Sequence, residues 1–451
     1  MLMFNFEKLK WLNDILIERF HNHIQLDSSR DGSIIISIKG ETSTIKVESN
    51  SCFFQTDNTI IPFTEWDFDN GEWIGVLGKT LPAPGCFNIQ CPLIIKTKLG
   101  YEIKYDILGL VYWMLSRLEE VECSNLDNHE RFASTSSHAF KYDYLERPIV
   151  DEWLLILRQV IERLWPKIKL KHQHFRLIVS HDVDVSSRYI FQSTYKLARG
   201  MISDILKYGN FASAFRAPWM RLRSHQKLPK KDPLNTFNWI MDQSDKHNLI
   251  SSFNFITGKT HYETDADYEI DHPSIRSLMR CIHDRGHMIG LHPSYNTFNK
   301  PDLIVAEAEK LRSICFQEGI EQELWGGRMH VLRWEHPLTL YGWEKAGMHY
   351  DSTLGYADHV GFRCGTCFDY PAFDPIADKQ LNLIIRPLIA MDVTVIAKRY
   401  MGLGHGVSAY NKFNQLKNAC RAVNGSFTLL WHNDKLITKQ ARELYSSLLE
   451  S

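Results

Sequence analysis

The sequence predicts an α/β fold in which a β/α barrel or a doubly wound sheet is preceded by a smaller α+β domain. Strand-like and helix-like runs alternate over about 280 residues in the C-terminal part, which is typical of parallel sheets covered by helices. Residues 1 to about 100 instead carry short alternating segments with turn formers between them, as in small mixed or antiparallel sheets. Residues 167–174 are basic and polar, so we place a boundary there, between a domain of residues 1–166 and a domain of residues 175–451.

Composition and charge limit the classes of protein to which the chain can belong. The 451 residues are 44% hydrophobic and 23% charged, as in ordinary globular proteins, and the net charge of -1 gives no overall field that favours nucleic acid. Residues 1–20 lack the long apolar core of a secretion signal, and no stretch reaches the ~18 uncharged apolar residues of a membrane span. We therefore expect a cytoplasmic protein with no membrane span and no nucleic-acid partner.

The nine cysteines are an odd and scattered set, which does not indicate a disulfide framework. This usage fits a reducing compartment. The one close pair, Cys364 and Cys367, has the spacing of a zinc or redox site, but the sequence holds no second pair of this kind. A structural role for these two thiols is therefore the simpler interpretation.

Apolar periodicity assigns elements in the N-terminal domain. Alternation over residues 33–38 and 44–47 predicts two strands. One-sided apolar patterns over residues 106–122 and 148–164 predict two helices, and Pro166 ends the second because proline cannot continue a helix. Strands and helices in this arrangement are typical of a small α+β domain.

The C-terminal domain alternates more regularly. Its sequence predicts strands at 175–183, 252–258, 288–291, 382–391 and 427–431, and helices at 232–246, 275–285, 303–317 and 338–346. The first two strands are separated by a long stretch, about 185–231, that is basic near its end and interleaved with aromatic residues. We interpret this stretch as a solvated helical insertion or, alternatively, as an arm that grips an anionic or lipid-linked substrate.

The first strand of this domain ends in two aspartates, Asp182 and Asp184. Side chains alternate along extended chain with a period of two, so both carboxylates point the same way. In α/β folds, ligands bind beyond the carboxyl ends of the strands. Two like charges this close repel unless a cation or an arginine offsets them, which suggests one metal ligand and one catalytic base. The alternative is a helix cap beside a surface aspartate.

Polar residues follow several further apolar runs in the same way. The five groups, in chain order, are Asp182 with Asp184, His292 to Asn296, Arg328 with His330, Asp351 with Ser352, and His432. A single histidine in a chain that has 20 of them is usually a surface or core residue. Five polar groups at apparent strand ends instead favour one shared site.

This ordered set resembles the polysaccharide deacetylase (NodB-homology) family of metal-dependent carbohydrate esterases, which has a distorted β/α barrel and five motifs. The first motif of the family is a strand that ends in two aspartates, with an Asp-x-Asp variant that Asp182 and Asp184 match. The second motif, His-[Ser/Thr]-x-x-His, matches residues 292–296 in its first histidine, and Asn296 stands where the second histidine is expected. The resemblance covers residues 175 to about 435.

The other three motifs match less completely. The arginine of the third motif, Arg-x-Pro-x-aromatic, is present as Arg328, a loose fourth match lies at 350–353, and the fifth motif, Leu-x-His, ends at His432. By this resemblance Asp182 is the catalytic base, Arg328 pairs with it, and His432 protonates the leaving amine. Asp392 is a candidate to orient His432.

The resemblance also implies a divalent metal, most simply zinc, with nickel or cobalt as alternatives. The candidate ligands are Asp184, His292, Asn296 and His330. Because a neutral amide is a poor ligand for zinc, three arrangements stay open. His330 supplies a third protein ligand, or Asp184 and His292 hold the metal weakly with water, or the site holds no metal.

Several further stretches resemble an intracellular branch of the family with an extra N-terminal domain, namely residues 112–120, 290–295, 330–334 and 361–363. The members of that branch resemble enzymes of surface-polysaccharide biosynthesis. The implied function is a cytoplasmic hydrolase that removes an N-acetyl or other acyl group from an amino sugar in a nucleotide- or lipid-linked glycan precursor. The alternatives are a catalytically inactive glycan-binding protein on the same fold and a hydrolase of a non-sugar amide such as a cyclic ureide. The sequence leaves the oligomeric state open.

Overall fold

The structure is a computed structural model that describes residues 4–55, 61–68, 72–191, 194–208 and 226–450. The chain forms two compact units, each built from segments that are distant in the sequence. Unit 1 consists of Met1–Arg176, Leu354–Ile389 and Gln415–Phe427, and unit 2 of Leu177–Thr353, Ala390–Asn414 and Thr428–Ser451. Residues 354–389 and 415–427 thus group with unit 1, although the sequence places them in the C-terminal domain.

Helices of the described residues are numbered in chain order. They are α1 (Phe6–Arg19), α2 (Ile107–Leu115), α3 (His138–Lys141), α4 (Ile149–Leu164), α5 (Thr194–Tyr208), α6 (Phe237–Lys246), α7 (Pro273–Asp284), α8 (Pro301–Gln317), α9 (Leu338–Lys345), α10 (Asp392–Ile396), α11 (Val407–Ala422) and α12 (Lys439–Leu449). Within the described residues, none of these helices combines the length and the apolar character that a bilayer crossing requires.

The strands are numbered in the same way. They are β1 (Ile24–Ser28), β2 (Ile34–Ile38), β3 (Thr44–Val47), β4 (Phe63–Asp67), β5 (Thr80–Pro84), β6 (Ile94–Lys96), β7 (Gly100–Ile103), β8 (Arg176–Val183), β9 (Ser252–Ile256), β10 (Met288–His292), β11 (Gly326–Gly327), β12 (Tyr350–Asp351), β13 (Tyr370–Asp374), β14 (Lys379–Ile385), β15 (Ala390–Met391) and β16 (Ser426–Leu430).

Unit 1 is a mixed α+β structure. Its main sheet has the order β1-β2-β3-β7-β6, in which only the β3–β7 pair is parallel, and β4 with β5 and β13 with β14 form antiparallel pairs. The alternation predicted for the second strand is present, since Ile34, Ile36 and Ile38 are buried while Ile35 and Ser37 are partly exposed. Each such strand buries one face and leaves the other to solvent.

Unit 2 contains a parallel sheet with the strand order β12-β11-β10-β9-β8-β16-β15. The residues pair in parallel register in β8–β9, β9–β10, β10–β11, β11–β12 and β15–β16. The central strands β9 and β16 are buried along their whole length, as expected for strands that helices cover on both faces. The predicted α/β class is therefore confirmed, whereas closure of the sheet into a barrel remains a prediction.

Two predicted helices are shorter than the sequence indicates. The helix predicted over 106–122 ends at Leu115, because Arg117 adopts a left-handed φ of 55° that an α-helix cannot continue, and a 3-10 turn follows over Leu118–Glu120. The helix predicted from 232 begins at Phe237, because the Asp232 carboxylate accepts the backbone N–H of Leu234 and holds the preceding residues in a turn.

The strand predicted over 382–391 is interrupted. Its chain belongs to two strands, β14 and β15, which end and begin on either side of residues 386–389. Pro387 lies in this gap and has no N–H to donate to a ladder. In the predicted insertion the structure describes α5, whereas the aromatic and basic residues at 211–223 lie outside the described residues.

Candidate metal centre

Polar side chains meet at the carboxyl edge of the unit 2 sheet. Asp184 directly follows β8, His292 is the last residue of β10, Arg328 follows β11, and His432 lies two residues beyond β16. Parallel strands end at the same edge, so residues that are distant in the sequence come together there. Asp351, at the end of β12, is fully buried, and its carboxylate caps its own turn by accepting the backbone N–H of Thr353.

Asp184, His292 and His330 form a group with the composition of a metal site. One ligand atom from each of the three lies within 4.8 Å of the other two, and the described residues contain no second group of this kind. The Asp184 Oδ1 is 3.3 Å from His292 Nε2 and 3.8 Å from His330 Nε2. The arrangement in which His330 supplies the third protein ligand is therefore the one that the geometry favours.

Hydrogen bonds fix both imidazoles with Nε2 towards Asp184. The Nδ1–H of His292 donates to the carbonyl oxygen of Arg328 at 2.6 Å, and the Nδ1–H of His330 donates to Asp265 Oδ1 at 3.1 Å. A neutral ring that donates from Nδ1 keeps its lone pair on Nε2. Each ring therefore presents a ligand atom to the same point.

Asp265 is itself held by three backbone N–H groups. Its Oδ1 accepts from Tyr295 and its Oδ2 accepts from Thr260 and His261, each at 2.7 Å. Burial raises the pKa of this carboxyl, but the hydrogen bonds from His330 and the backbone outweigh burial and hold the pKa below its ordinary value. The carboxylate is therefore ionised and fixed where it meets the His330 ring.

The residues present fit a zinc-type ion. Asp184 Oδ1 is buried and receives no hydrogen bond of good geometry among the described residues. Burial raises the pKa of Asp184, but His292, His330 and His432 outweigh burial when they are protonated, so the pKa lies well below its usual range; a metal ion would take the place of the protons on His292 and His330. An ionised carboxylate with two imidazole nitrogens is a common donor set for zinc and neighbouring divalent metals.

Asp182 lies beside this group and is held in its charged form. Its Oδ1 accepts from Arg328 Nη1 at 2.9 Å and from Asn254 Nδ2 at 2.7 Å. Its Oδ2 is 3.8 Å from His292 Nε2. Burial raises the pKa of the carboxyl, but Arg328 and the nearby histidines outweigh burial, so the pKa falls below its ordinary value.

Arg328 is fixed on three sides. Besides Asp182, it donates from Nη2 to Ser180 Oγ and from Nε to the carbonyl oxygen of Ser352, each at 3.0 Å. The guanidinium is 2% exposed, so its charge acts on Asp182 with little screening by water.

His432 and Asp392 form a second charged pair next to Asp184. The Nδ1–H of His432 donates to Asp392 Oδ1 at 2.7 Å, and the backbone N–H of His432 donates to Asp392 Oδ2 at 3.0 Å. His432 Nε2 lies 3.8 Å from Asp184 Oδ2. Burial lowers the pKa of His432, but Asp392 and the other carboxylates outweigh burial and raise the pKa to about 10.

Asn296 is engaged elsewhere and is not part of the three-residue group. Its Nδ2 donates to the carbonyl oxygen of Thr260 at 2.9 Å, and its Oδ1 accepts from Arg333 Nη1 at 3.2 Å. Arg333 also stacks on the ring of Phe298, 3.8 Å from the ring centroid. Asn296 therefore shapes the loop after β10, and its assignment as a metal ligand remains a prediction that this geometry does not support.

Three residues around the site had no signal in the sequence. Asn254 lies inside the apolar run of β9, Asp265 lies in an irregular loop after it, and Glu307 is one of two glutamates on α8. Glu307 is buried and accepts from both the backbone N–H (2.9 Å) and the hydroxyl (2.5 Å) of Ser294, two residues after His292. None of the three follows an apolar run at a strand end, which is the pattern that identified the other residues.

The close cysteine pair has no metal-site geometry among the described residues. Cys364 and Cys367 are buried, and burial raises the pKa of both thiols. Cys367 Sγ donates to Asp151 Oδ2 at 3.4 Å, within unit 1. The structural interpretation of the pair is therefore favoured.

Residues 5–166 match a family of unknown function, DUF7033. A search of curated proteins gave no match. Among solved structures, the chain is similar to a protein assigned to the polysaccharide deacetylases from Mycobacterium smegmatis, at 14% identity and a TM-score of 0.40. It is also similar to the PuuE allantoinase, at 11% identity and a TM-score of 0.36, and to a protein assigned to the same deacetylases from Pseudomonas aeruginosa PAO1, at 11% identity and a TM-score of 0.35.

Each of these three similarities covers 62% of this chain and 84% of the other chain. The assignment of the fold rests on the strand pairings of the chain itself, because these TM-scores are low.

Proposed function

We propose that the chain is a metal-dependent hydrolase that removes an N-acyl group, most simply acetyl, from an amino sugar. The observation that carries the proposal is the position of the three-ligand group of Asp184, His292 and His330. Beside it lie a carboxylate held by Arg328 and an imidazole held by Asp392. Amide hydrolysis needs an activated water, a stabilised oxyanion and a proton for the leaving amine, and these groups match those needs.

A zinc-type ion, when bound, would supply Lewis-acid chemistry that polarises an acyl carbonyl and lowers the pKa of water. Asp184, His292 and His330 would hold it. Asp265 and the carbonyl oxygen of Arg328 set the two rings in the orientation that binding requires.

Asp182 takes the proton from the attacking water. Its Oδ1 is occupied by Arg328 and Asn254, so Oδ2, on the side of His292, is the oxygen that accepts a proton. Arg328 stabilises the ionised form of Asp182 through a buried contact, which keeps the base deprotonated at neutral pH.

His432 gives a proton to the leaving amine. Asp392 holds Nδ1–H, so the proton on Nε2 of the imidazolium is the one directed towards the site. A positioned acid of this kind is typically worth ~10²–10⁴-fold in rate. The raised pKa of His432 keeps the ring charged until the proton is needed.

The sugar substrate, the choice of zinc and a cytoplasmic, nucleotide- or lipid-linked glycan pathway are supported by the sequence alone, through its composition and its resemblance to the deacetylase motifs. The matched residues are Asp182, Asp184, His292, Arg328 and His432.

The proposal is tested by acetate release from a panel of N-acetylated amino sugars in free, nucleotide-linked and lipid-linked form. We expect release by the purified protein that stops when a chelator is added and returns with zinc. Asp182→Asn and His432→Ala should each lower kcat by about 10²–10⁴-fold. Asp245→Asn, which alters a carboxylate 3.4 Å from His287 and away from the site, is the matched control and should retain full activity.

Three results would contradict the proposal. Acetate release that is unaffected by Asp182→Asn would remove the assigned base. Hydrolysis of a cyclic ureide with no release from any sugar would move the substrate to another amide. Sugar binding without turnover and without bound metal would indicate a glycan-binding protein.

A further inference from the structure

Helix α5 is apolar on two faces. Its inner face carries Leu197 and Met201, which pack against the buried ring of Tyr189. Its outer face carries Tyr195, Ile202 and Leu206, which are 74%, 57% and 80% exposed. Positions separated by seven and eleven residues lie within about 40° of each other around a helix, so these three side chains form one stripe.

This stripe is unusual within the molecule. Among the helices that the structure describes, no other one exposes three large apolar side chains. Monomeric proteins rarely expose large contiguous apolar patches, and those that occur are often interaction sites. A helix with one face on the protein and a second apolar face in solvent is therefore expected to have an occupant for that second face.

The charge of the surrounding sequence indicates the occupant. The described parts of this region, residues 185–191, 194–208 and 226–231, contain seven Lys or Arg and a single acidic residue, Asp204. The whole chain has a net charge of -1, so this excess is local. Arg199 lies on the exposed face of α5, one turn from Tyr195.

We propose that the outer face of α5 docks on an anionic lipid bilayer. Tyr195, Ile202 and Leu206 enter the headgroup region, and Arg199 beside them pairs with lipid phosphates. An interfacial helix with apolar residues on one face and Lys or Arg beside them binds membranes in this way. The 15 residues of α5 span about 22 Å, and the helix lies on the surface and does not cross the bilayer.

The docking surface follows closely on the candidate site in sequence, since α5 begins ten residues after Asp184. Peripheral attachment would bring a hydrolase to substrates that are held in the membrane by a lipid. Lipid docking itself does not depend on the proposed hydrolase activity, so the two proposals fail separately.

The test is cosedimentation of the full chain with vesicles of phosphatidylcholine alone and with vesicles that contain about one third phosphatidylglycerol. We expect the protein to bind the anionic vesicles and to stay in solution with the neutral ones. Binding should weaken as salt rises, because the exposed charges are screened. Arg199→Gln should weaken binding about fivefold.

The apolar stripe is tested by the double substitution Ile202→Asn with Leu206→Asn, which we expect to weaken vesicle binding by tenfold or more. Phe316→Asn is the matched control, since Phe316 is 82% exposed on α8, and it should bind as the unsubstituted chain does. Circular dichroism of each variant establishes that the fold is retained.

Several outcomes would overturn the proposal. One is no binding to either vesicle, and another is equal binding to neutral vesicles. Unchanged binding of the double variant, together with binding to heparin, would indicate a general polyanion patch. If the unsubstituted chain binds no vesicles and the double variant sediments more slowly than it does, the stripe would be an interface between copies of the chain.

Discussion

At the scale of single residues, the orientation of His330 depends on one carboxylate. Asp265 accepts the Nδ1–H of the ring, and backbone N–H groups hold Asp265 in turn. This arrangement places His330 where it could serve as a ligand, although Asn296 occupies the position that the second histidine of the motif would take. Carboxylates that accept from a ligand imidazole are known to set both its tautomer and its basicity.

We expect Asp265→Asn to weaken metal binding by about 10- to 100-fold, because an amide does not hold the Nδ1–H as a carboxylate does. Competition against a chromophoric chelator measures the affinity. In a His330→Ala background the same substitution should have almost no further effect, since the ring through which Asp265 acts is gone.

Asp245→Asn controls for the loss of any carboxylate beside a buried histidine. Asp245 Oδ1 is 3.4 Å from His287 Nε2, and His287 precedes β10 at the other edge of the sheet. Equal metal affinity in the Asp265→Asn variant and in the unsubstituted chain would show that Asp265 has no positioning role.

The sequence predicts the site only where a polar residue ends an apolar run. Asp182, Asp184, His292 and His432 satisfy this pattern, and the structure brings them together. Asp265 belongs to a loop whose path is set by tertiary hydrogen bonds, so no local pattern in the sequence could place it beside His330.

At the scale of elements, close strand packing limits which residue can stand opposite Asn254. Gly290 of β10 pairs with Asn254 of β9, and a Cβ on Gly290 would lie 1.9 Å from Asn254 Oδ1. The same amide donates to Asp182 from Nδ2. The strand therefore needs glycine at this position for the Asn254–Asp182 hydrogen bond to form.

Gly290→Ala should displace the Asn254 amide and lower kcat by about 10- to 100-fold, the usual cost of a hydrogen bond to a charged group. Metal content should stay unchanged, since neither Gly290 nor Asn254 is a proposed ligand. Gly406→Ala is the control, because its Cβ would meet no atom within 4 Å. Unchanged kinetics of Gly290→Ala would contradict the role given to Asn254.

The N-cap of helix α2 in unit 1 is Asp106, a residue whose burial disfavours the ionised form of its carboxyl. Asp106 accepts from the backbone N–H groups of Gly109 (2.6 Å) and Asn50 (2.7 Å). Burial outweighs these donors and raises the pKa of Asp106 to about 7. The folded chain therefore holds the proton more tightly than the unfolded chain, in which the pKa is near 4.

Because the pKa of Asp106 is higher in the folded chain, its protonated carboxyl stabilises the fold fully below about pH 4. This contribution to the free energy of unfolding is lost as the pH rises through 7. This group alone lowers the free energy of unfolding by up to about 1.4 kcal/mol per pH unit in that window. Asp106→Asn, which cannot ionise, should give a flatter dependence in chemical denaturation between pH 5 and 7. The same slope in both proteins would contradict the raised pKa.

Element boundaries were the part of the secondary structure that the sequence predicted least well. The pattern over 106–122 continues past Leu115, but the left-handed Arg117 ends the helix. Arg117 is buried and pairs with Glu120, which also binds Arg363 from a distant segment. Contacts between distant segments decide this helix end, and periodicity does not report them.

At the scale of the whole molecule, the units are not consecutive stretches of chain. Glu120 accepts from Arg363 at 2.9 and 2.5 Å, and the backbone N–H of Cys367 donates to Asp151 at 2.9 Å, all within unit 1. The sequence could not show this, because the apolar patterns of residues 354–389 are as typical of a barrel domain as of unit 1.

A fragment of residues 1–166 should therefore lack a cooperative thermal transition, because Glu120 and Asp151 lose partners that compensate their burial. Arg363→Ala in the full chain tests the same contact without truncation and should cost about 3–5 kcal/mol in the free energy of unfolding. Calorimetry measures both. A fragment that unfolds cooperatively near the transition temperature of the full chain would contradict this account.

The central claim is that Asp184, His292 and His330 hold a metal, and elemental analysis tests it most directly. The chain is purified without added metal, in unsubstituted form, as Asp184→Ala and as the control Asp245→Asn. We expect about one zinc, nickel or cobalt ion per chain in the first and third proteins and almost none in Asp184→Ala. Little metal in all three proteins, even after incubation with zinc, would contradict the metal centre and the hydrolase built on it.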